Sequence, residues 1–233
     1  MLSESERKRA GDFKFEEGSL HFRTGRTLLR TWLGLHTGLE APAIEFRYKP
    51  LGKPLLDNHG SGGLKFSYSH SGDYFVCSVV HESENGIDIE RVRDFDDLGL
   101  TAQTMMNSQE YSEWLADSCD EKVDTFFQTW TRKESVGKVA GTGISTGPQN
   151  IPVPMQGFAR GTAPIVPGLE QRVVLSDWSP FAGTASSVAV ATDSANEGLC
   201  YSDEVWPGGE TVETHSGSIT IPDFCALTIR RFQ

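Results

Sequence analysis

The chain has 233 residues, with 32 Asp or Glu against 21 Lys or Arg and a formal net charge of -11. This acidity argues against a general nucleic-acid binder, which would present a basic patch. The length is enough to bury a sizeable core in one domain or in two small halves. The sequence shows no apolar run long enough to cross a membrane and no amino-terminal signal segment, so we expect a cytoplasmic protein that contacts neither membrane nor nucleic acid.

The first part of the chain predicts a helix followed by strands. From Thr24 to His36, apolar side chains follow one helical face and arginines lie on the other. A strand-like segment at Ala43 to Tyr48 and a turn-rich segment from Leu51 to Gly63 come next. Two further strands are predicted at Leu64 to Tyr68 and Tyr74 to Val80.

The second part mixes helices and strands in the same way. Gly86 to Glu90 predicts a strand, Ser108 to Ala116 a helix with Ser108 or Asn107 as its cap, and Asp120 to Lys138 a second helix. From residue 147 onward, Gly, Pro, Ser, Thr and Val dominate, and the strand candidates there are Gln171 to Leu175, Ser186 to Ala191, Ile219 to Ile221 and Cys225 to Ile229. Asn196 to Gly217 predicts a long acidic loop.

The four cysteines do not indicate a zinc site. Cys77, Cys119, Cys200 and Cys225 lack CxxC or similar spacing, so we interpret them as reduced thiols, with Cys77 buried in a strand.

Two carboxylates share one face of the strand at Gly86 to Glu90. Residues two apart in a strand point the same way, so Asp88 and Glu90 lie together while Ile87 and Ile89 face the core. Two carboxylates at this spacing suit Mg²⁺, which is usually held by one or two carboxylates plus substrate phosphates. The alternative interpretation is a solvated polar strand face.

A third acidic candidate, Glu134, lies on the predicted helix from Asp120 to Lys138. Lys138 follows it by four residues and shares its side of the helix, whereas Lys133 is rotated by about 100° toward another wall. A simple surface ion pair between Glu134 and Lys138 is the alternative to a functional role.

Five short motifs in order resemble those of the 4'-phosphopantetheinyl transferases, in particular the Sfp-type branch. The resemblance covers roughly residues 2 to 192, and its motifs are Arg26-Thr27-Leu28-Leu29, Gly52-Lys53-Pro54, Phe66-Ser67-Tyr68-Ser69-His70-Ser71-Gly72, Gly86-Ile87-Asp88, and Trp130-Thr131-Arg132-Lys133-Glu134-Ser135 with Lys138.

The resemblance implies an α/β (α+β) fold made of two similar halves related by a pseudo-twofold axis. Each half would be a small, mostly antiparallel sheet packed with helices, and the active site would lie in the cleft between the halves. We expect an amino-terminal half at 1–85, on the side of the coenzyme A adenosine and 3'-phosphate. A carboxyl-terminal half at 86–192 would carry the metal and catalytic motifs, and 193–233 would be an extension of unclear role.

The resemblance also implies an activity. A serine of an apo acyl or peptidyl carrier protein would attack coenzyme A, take up the 4'-phosphopantetheine group and release 3',5'-ADP. The cofactor would be Mg²⁺, with Mn²⁺ as an alternative because both accept carboxylate and phosphate oxygens. We expect a monomer with carrier protein and coenzyme A as partners, acting in secondary metabolite biosynthesis.

Residue roles follow from the same resemblance. Asp88, Glu90 and Glu134 match metal ligands, and Glu134 is also a candidate general base. Lys138 matches a general acid or a fixed charge. Coenzyme A would contact the residues at the remaining matched positions, namely Arg9, Arg26, Lys53, Ser69, His70 and Lys133, together with Lys138.

Two alternatives to the transferase interpretation remain open. The chain would be a coenzyme A or carrier-protein binding module with weak or no transfer, or a magnesium-dependent phosphohydrolase acting on a pyrophosphate. A further hypothesis concerns Met105 and Met106, which would either contact the carrier or pack in the core.

Overall fold

The computed structural model describes residues 2–57, 63–118, 120–145, 147–155, 169–178 and 180–192, and the backbone alone of 160–163, 202–203 and 225–230. The α-helices of this part are α1 (Glu4–Gly11), α2 (Glu16–Thr37), α3 (Leu98–Met105), α4 (Ser108–Ala116) and α5 (Lys122–Ala140). Its strands are β1 (Phe46–Tyr48), β2 (Pro54–Leu56), β3 (Leu64–Ser71), β4 (Tyr74–His81), β5 (Asn85–Arg91), β6 (Arg160–Ala163), β7 (Arg172–Asp177), β8 (Thr184–Thr192), β9 (Ser202–Asp203) and β10 (Cys225–Arg230). Short 3-10 helices occur at Ala41–Ala43 and Pro148–Asn150.

The predicted elements are found with shifted ends. Helix α4 has the predicted bounds, and Asn107 caps it by accepting hydrogen bonds from the backbone of Gln109 and Glu110. Helix α2 begins eight residues before the predicted start, at Glu16, with Glu16 and Glu17 as favourable acidic residues in its first turn. Helix α3 was not predicted, and its short apolar sequence carries no clear helical period.

Two four-stranded sheets and a hairpin of β1 and β2 form the β-structure. The first sheet has the order β3-β4-β10-β9, and the second has the order β5-β8-β7-β6. Pairing is antiparallel except between β9 and β10. The α+β fold class is therefore confirmed.

The sheets and the two long helices stack in layers. Helix α2 packs Leu29 and Trp32 onto one face of the first sheet, against Phe66 and Phe75. The other face of that sheet meets the second sheet in a cluster that includes Val76 and the strand β5 isoleucines. Helix α5 covers the far face of the second sheet. Strand β4 is thus buried on both faces, which explains its continuous apolar sequence.

The isoleucines of β5 lie where the alternation in the sequence predicts. Ile87 and Ile89 are fully buried between the sheets. The other face of β5 is covered by α5, and this places Asp88 next to the helix.

Two glycines set the close approach of α5 to its neighbours. A Cβ at Gly86 would lie 1.9 Å from the carbonyl oxygen of Ser135, so no larger residue fits beneath the helix. A Cβ at Gly137 would lie 2.5 Å from the carbonyl oxygen of Gly143, whose amide donates to Gly137. Glycine is costly inside a helix, and this tight contact is its physical reason here.

The carboxyl-terminal part contributes to the first sheet. Strand β10 pairs with β4, which confirms the strand predicted at Cys225 to Ile229, although β9 rather than β10 lies at the sheet edge. Ser202–Asp203 forms β9 inside the predicted acidic loop. The prediction for Ile219 to Ile221 falls outside the described residues.

Among the described residues, Cys77 is a free thiol, and it is buried as predicted. Cys119 and Cys200 lie outside those residues. In the described part of the chain, no helix combines the length and the apolar character needed to cross a membrane.

The contact at Gly86 predicts a stability effect. Gly86→Ala should lower the free energy of unfolding by about 3 kcal/mol, because the new methyl group would push against helix backbone rather than a flexible side chain. Urea denaturation followed by circular dichroism measures the change.

Gly99→Ala is the matched control. Gly99 is exposed on α3 with no atom within 4 Å of an added Cβ, so this change should be neutral or stabilise by about 0.5–1 kcal/mol. Equal effects of the two substitutions would contradict the close-approach explanation.

Candidate active site

A cleft of about 340 Å³ lies between β3 and the carboxyl-terminal end of α5. Five of the predicted site residues line it, namely Lys53, Ser69, His70, Glu134 and Lys138. The first three belong to the amino-terminal part and the last two to α5. The cleft therefore depends on both parts of the chain.

Asp88 and Lys138 form the central ion pair of this region. Lys138 Nζ lies 2.6 Å from Asp88 Oδ1 and donates to the carbonyl oxygen of Ile87 at 2.9 Å. Asp88 is 3% exposed, and its second oxygen, Oδ2, is buried without a hydrogen-bond partner among the described residues. A buried carboxylate oxygen left without a donor is costly unless another ligand satisfies it.

Three alternate serines of β3 bridge to β5. Ser67 Oγ accepts a hydrogen bond from the amide of Ile87 at 3.1 Å, and Ser69 Oγ donates to Asp88 Oδ1 at 2.6 Å. Ser71 Oγ donates to Glu90 Oε2 at 2.6 Å and accepts from the amide of Arg91 at 3.1 Å. These hydroxyls join the edge strands of the two sheets where no backbone ladder does.

Burial shifts the proton equilibria of the other two acidic candidates. It raises the pKa of Glu90, an effect that the hydrogen bond from Ser71 opposes and the charge of Asp88 reinforces. Burial also raises the pKa of Glu134, with Lys138 opposing and both Asp88 and Glu90 reinforcing the shift. The three carboxylates thus repel one another across one site, as expected where a cation would be favourable.

The donor set suits a hard cation, although it is incomplete. Among the described residues, no three His, Cys, Asp or Glu side chains stand close enough to form a metal cage. Mg²⁺ commonly takes only one or two protein carboxylates and completes its shell with phosphate and water oxygens. Oxygen donors, mutual repulsion and the unsatisfied Asp88 Oδ2 fit such a partial site.

Lys53 ties the amino-terminal part to the end of α5. Its ammonium lies 2.6 Å from Glu84 Oε2 and donates to the carbonyl oxygens of Asn85 and Lys138 at 3.2 and 2.7 Å. Glu84 also pairs with Lys49 and Lys65, so three lysines share one carboxylate beside the cleft. The excess positive charge favours an anionic ligand.

His70 lies at the exposed edge of the cleft. Partial removal from water lowers its pKa, the charges of His21 and Lys138 lower it further, and Asp88 raises it. Its imidazole is therefore held toward the neutral form until an anion approaches.

Lys133 is not among the described residues that line the cleft, and its contact with the phosphates or pantetheine of coenzyme A stays a prediction. Its fully buried ammonium lies 2.7 Å from Glu110 and donates to the carbonyl oxygens of Pro148 and Ile151 at 3.1 and 2.6 Å. The rotation of about 100° along the helix directs it toward α4, away from Glu134.

Arg9 and Arg26 are not among the described residues that line the cleft. Arg26 is 5% exposed, pairs with Glu6 and lies 5.5 Å from the ring centroid of Tyr68, which does line the cleft. Arg9 lies 5.2 Å from the ring centroid of Phe22, and Arg26 lies 5.7 Å from the same ring. Direct ligand contact by either arginine stays a prediction.

Met105 and Met106 are buried at 2% and 3% exposure and pack with Trp114 and Phe126. The hypothesis that they contact a carrier protein is wrong, because they belong to the core beneath α3 and α4. The alternative of core packing is confirmed.

Sequence reasoning missed several polar residues of this region. Ser67 and Ser71 had a usable signal, since serines at every second position of β3 must share one face. Glu84, Lys49 and Lys65 come from separate segments and gave no local pattern. The partner of Lys133, Glu110, is likewise distant in sequence.

Comparisons with known proteins identify the family of this chain. Residues 84–183 match the 4'-phosphopantetheinyl transferase superfamily, and residues 1–82 match the family described as 4'-phosphopantetheinyl transferase, N-terminal. The two matches together cover most of the chain. The chain belongs to the 4'-phosphopantetheinyl transferase superfamily.

Several curated relatives carry that name. The 4'-phosphopantetheinyl transferase HetI of Nostoc sp. is 37% identical over 145 residues, which are 62% of this chain and 61% of HetI. The 4'-phosphopantetheinyl transferase Sfp of Bacillus subtilis is 30% identical over 145 residues, 62% of each chain. The phosphopantetheinyl transferase of Thraustochytrium sp. is 29% identical over 159 residues, 64% of this chain and 55% of that protein. The chain thus spans about three-fifths of the first two relatives.

The environment of Glu134 predicts a gain in stability when its charge is removed. Its pKa in the folded protein lies above that of the unfolded chain, so ionisation costs stability above the folded-state pKa and costs nothing below the unfolded-state value. Glu134→Gln should therefore raise the melting temperature of the chelator-treated protein near about pH 7.5, and the gain should shrink toward about pH 4.

Differential scanning fluorimetry across this pH range measures the effect. Glu17→Gln, which removes an exposed carboxylate on α2, serves as the control and should give no such pH-dependent gain. A loss of stability in Glu134→Gln at neutral pH would show that Lys138 outweighs burial.

Proposed function

We propose that the chain transfers the 4'-phosphopantetheine group from coenzyme A to a serine hydroxyl of an apo acyl or peptidyl carrier protein. The observation that carries this proposal is the cleft in which Lys138 and Glu134 of the second part meet Lys53 and His70 of the first, with Asp88 paired to Lys138 beside it. Family membership and the similarity to Sfp and HetI support the reaction class and the Sfp-type branch.

The reaction is a displacement at phosphorus. The carrier serine oxygen forms a bond to the β-phosphorus of coenzyme A, and the bond from that phosphorus to the bridging oxygen breaks. The serine proton passes to a base, and 3',5'-ADP leaves with the electron pair. Such chemistry depends on positioning and charge neutralisation and needs no covalent enzyme intermediate.

Glu134 is the proposed base. Its carboxylate lines the cleft, and burial raises its pKa toward the operating range of a base near neutral pH. Among the described residues it accepts no hydrogen bond, so its oxygens are available to a hydroxyl. Its role as a metal ligand is the alternative and is compatible with the same position.

Lys138 supplies positive charge to the cleft, next to Asp88. Its ammonium is anchored by Asp88 and the Ile87 carbonyl, which leaves its third proton for a phosphate oxygen or for the leaving group. Lys53 and His70 extend the positive wall of the cleft toward β3, and Ser69 fixes the Asp88 oxygen that Lys138 shares.

Asp88, Glu90 and Glu134 would hold the metal ion, Mg²⁺ or Mn²⁺. When bound, that ion neutralises the pyrophosphate and orients it. The unsatisfied Asp88 Oδ2 supports this assignment.

Each part of the chain would bind a different portion of coenzyme A. We propose that residues 1–85 bind the adenosine and 3'-phosphate side and that 86–192 carry the chemistry. The strands of 193–233 complete the first sheet rather than the cleft. A cytoplasmic location, a monomeric state and a secondary-metabolite carrier remain part of the proposal.

Intact-mass spectrometry of apo carriers tests the transfer. Incubation with the protein, coenzyme A and Mg²⁺ should add the mass of one phosphopantetheine group. Asp88→Ala should slow this addition by about 100-fold or more, because it removes the charge that holds Lys138 and a cation in place.

Asp73→Ala is the control, since Asp73 is an exposed aspartate in the turn between β3 and β4. Coenzyme A binding without mass gain on any of several carriers would instead favour the binding-module alternative. Release of phosphopantetheine into water without a carrier would favour the phosphohydrolase.

A further inference from the structure

Ser71 makes a pair of contacts that differ from those of its neighbours on β3. Its hydroxyl donates to Glu90 Oε2 at 2.6 Å and accepts from the amide of Arg91 at 3.1 Å. One hydroxyl thus holds both the side chain of Glu90 and the backbone that follows it. Ser71 is 7% exposed, so water cannot readily take over these contacts if the hydroxyl is removed.

The contact fixes one oxygen of Glu90 and leaves the other open. Among the described residues, Glu90 Oε1 accepts no hydrogen bond. A carboxylate bound on one oxygen by a neutral donor keeps its charge and presents its second oxygen in a defined direction. This is how the hydrogen-bond partners of metal-binding carboxylates commonly act.

The electrostatic setting gives Ser71 a second effect. Glu90 feels the charge of Asp88, and among the described residues the hydrogen bond from Ser71 is the contact that holds its carboxylate in place. Without that donor, Glu90 would be free to rotate away from Asp88 and to relieve the repulsion.

We propose that Ser71 is a positioning residue that holds Glu90 in the orientation needed to bind the divalent cation. The inference rests on the proposed function, because it needs Glu90 to be a ligand of that cation. Ser71 touches neither coenzyme A nor the carrier in this assignment and acts through Glu90.

Ser67 provides the matched comparison on the same strand. It lies four residues before Ser71, on the same face of β3. It is 6% exposed and accepts a hydrogen bond from the Ile87 amide at 3.1 Å. Both serines therefore support the backbone of β5 from the same face of β3. Each serine accepts a hydrogen bond from a β5 amide, but only Ser71 also donates one to a carboxylate.

Binding of Mn²⁺ separates positioning from general support. The full chain, with coenzyme A present and no carrier, is titrated with Mn²⁺, and free Mn²⁺ is measured by electron paramagnetic resonance. Ser71→Ala should weaken Mn²⁺ binding about tenfold, at the lower end of the 10–100-fold loss typical for such partners of metal ligands. Ser71→Thr keeps the hydroxyl and should restore binding to within about twofold.

Ser67→Ala should also lower the melting temperature, because it loses a hydrogen bond to a β5 amide as Ser71→Ala does, although Ser71→Ala loses the bond to Glu90 as well. It should leave Mn²⁺ affinity within about twofold of the wild type. This comparison holds even if both variants are less stable, since binding is measured below their melting temperatures.

Two results would overturn the inference in different ways. Equal Mn²⁺ affinity in wild type and Ser71→Ala, or equal losses in the two alanine variants, would make Ser71 a structural residue only. No Mn²⁺ binding by the wild-type protein with coenzyme A present would reject the metal site, and with it both the proposed function and the role of Ser71.

Discussion

The close contact of α5 with β5 is the constraint on which the cleft depends. Gly86 lets the helix backbone at Ser135 come so near to the strand that any side chain would separate them. At this separation Lys138 reaches both Asp88 and the Ile87 carbonyl, and Glu134 lies over the same end of the strand. Backbone packing therefore sets the positions of Lys138, Asp88 and Glu134 relative to one another.

A second feature is that three consecutive charged residues of α5 make different contacts. Arg132 pairs with Asp177 and donates to the Pro154 carbonyl at 2.6 Å, while Lys133 is buried against Glu110. Both anchor the helix to the body of the second part. Glu134, the next residue, faces the cleft. Of three consecutive charged side chains, two thus make structural contacts and one lines the cleft, because successive residues of a helix point about 100° apart.

Sequence reasoning succeeded where the relevant geometry is local. The strand alternation placed Asp88 beside Glu90 and buried Ile87, and helical spacing placed Lys138 on the side of Glu134. It could not predict positions that a distant partner decides. The position of the Lys133 side chain depends on Glu110, and that of Met105 on the apolar core of α3 and α4. Neither partner can be recognised from the residues next to Lys133 or Met105 in the sequence. The reason for Gly137 appeared only with the contact to Gly143.

The serine contacts between β3 and β5 affect how the site responds when the protein is partly destabilised. Hydroxyl contacts are fewer than the bonds of a strand ladder and individually weak, so the seam between β3 and β5 is held less firmly than neighbouring strands of one sheet, while the apolar cluster behind it keeps the sheets together. The cleft draws its walls from both sides of that seam. A small slip there would misalign the ligand before either half loses its own packing, so impairment of the site is expected to precede denaturation.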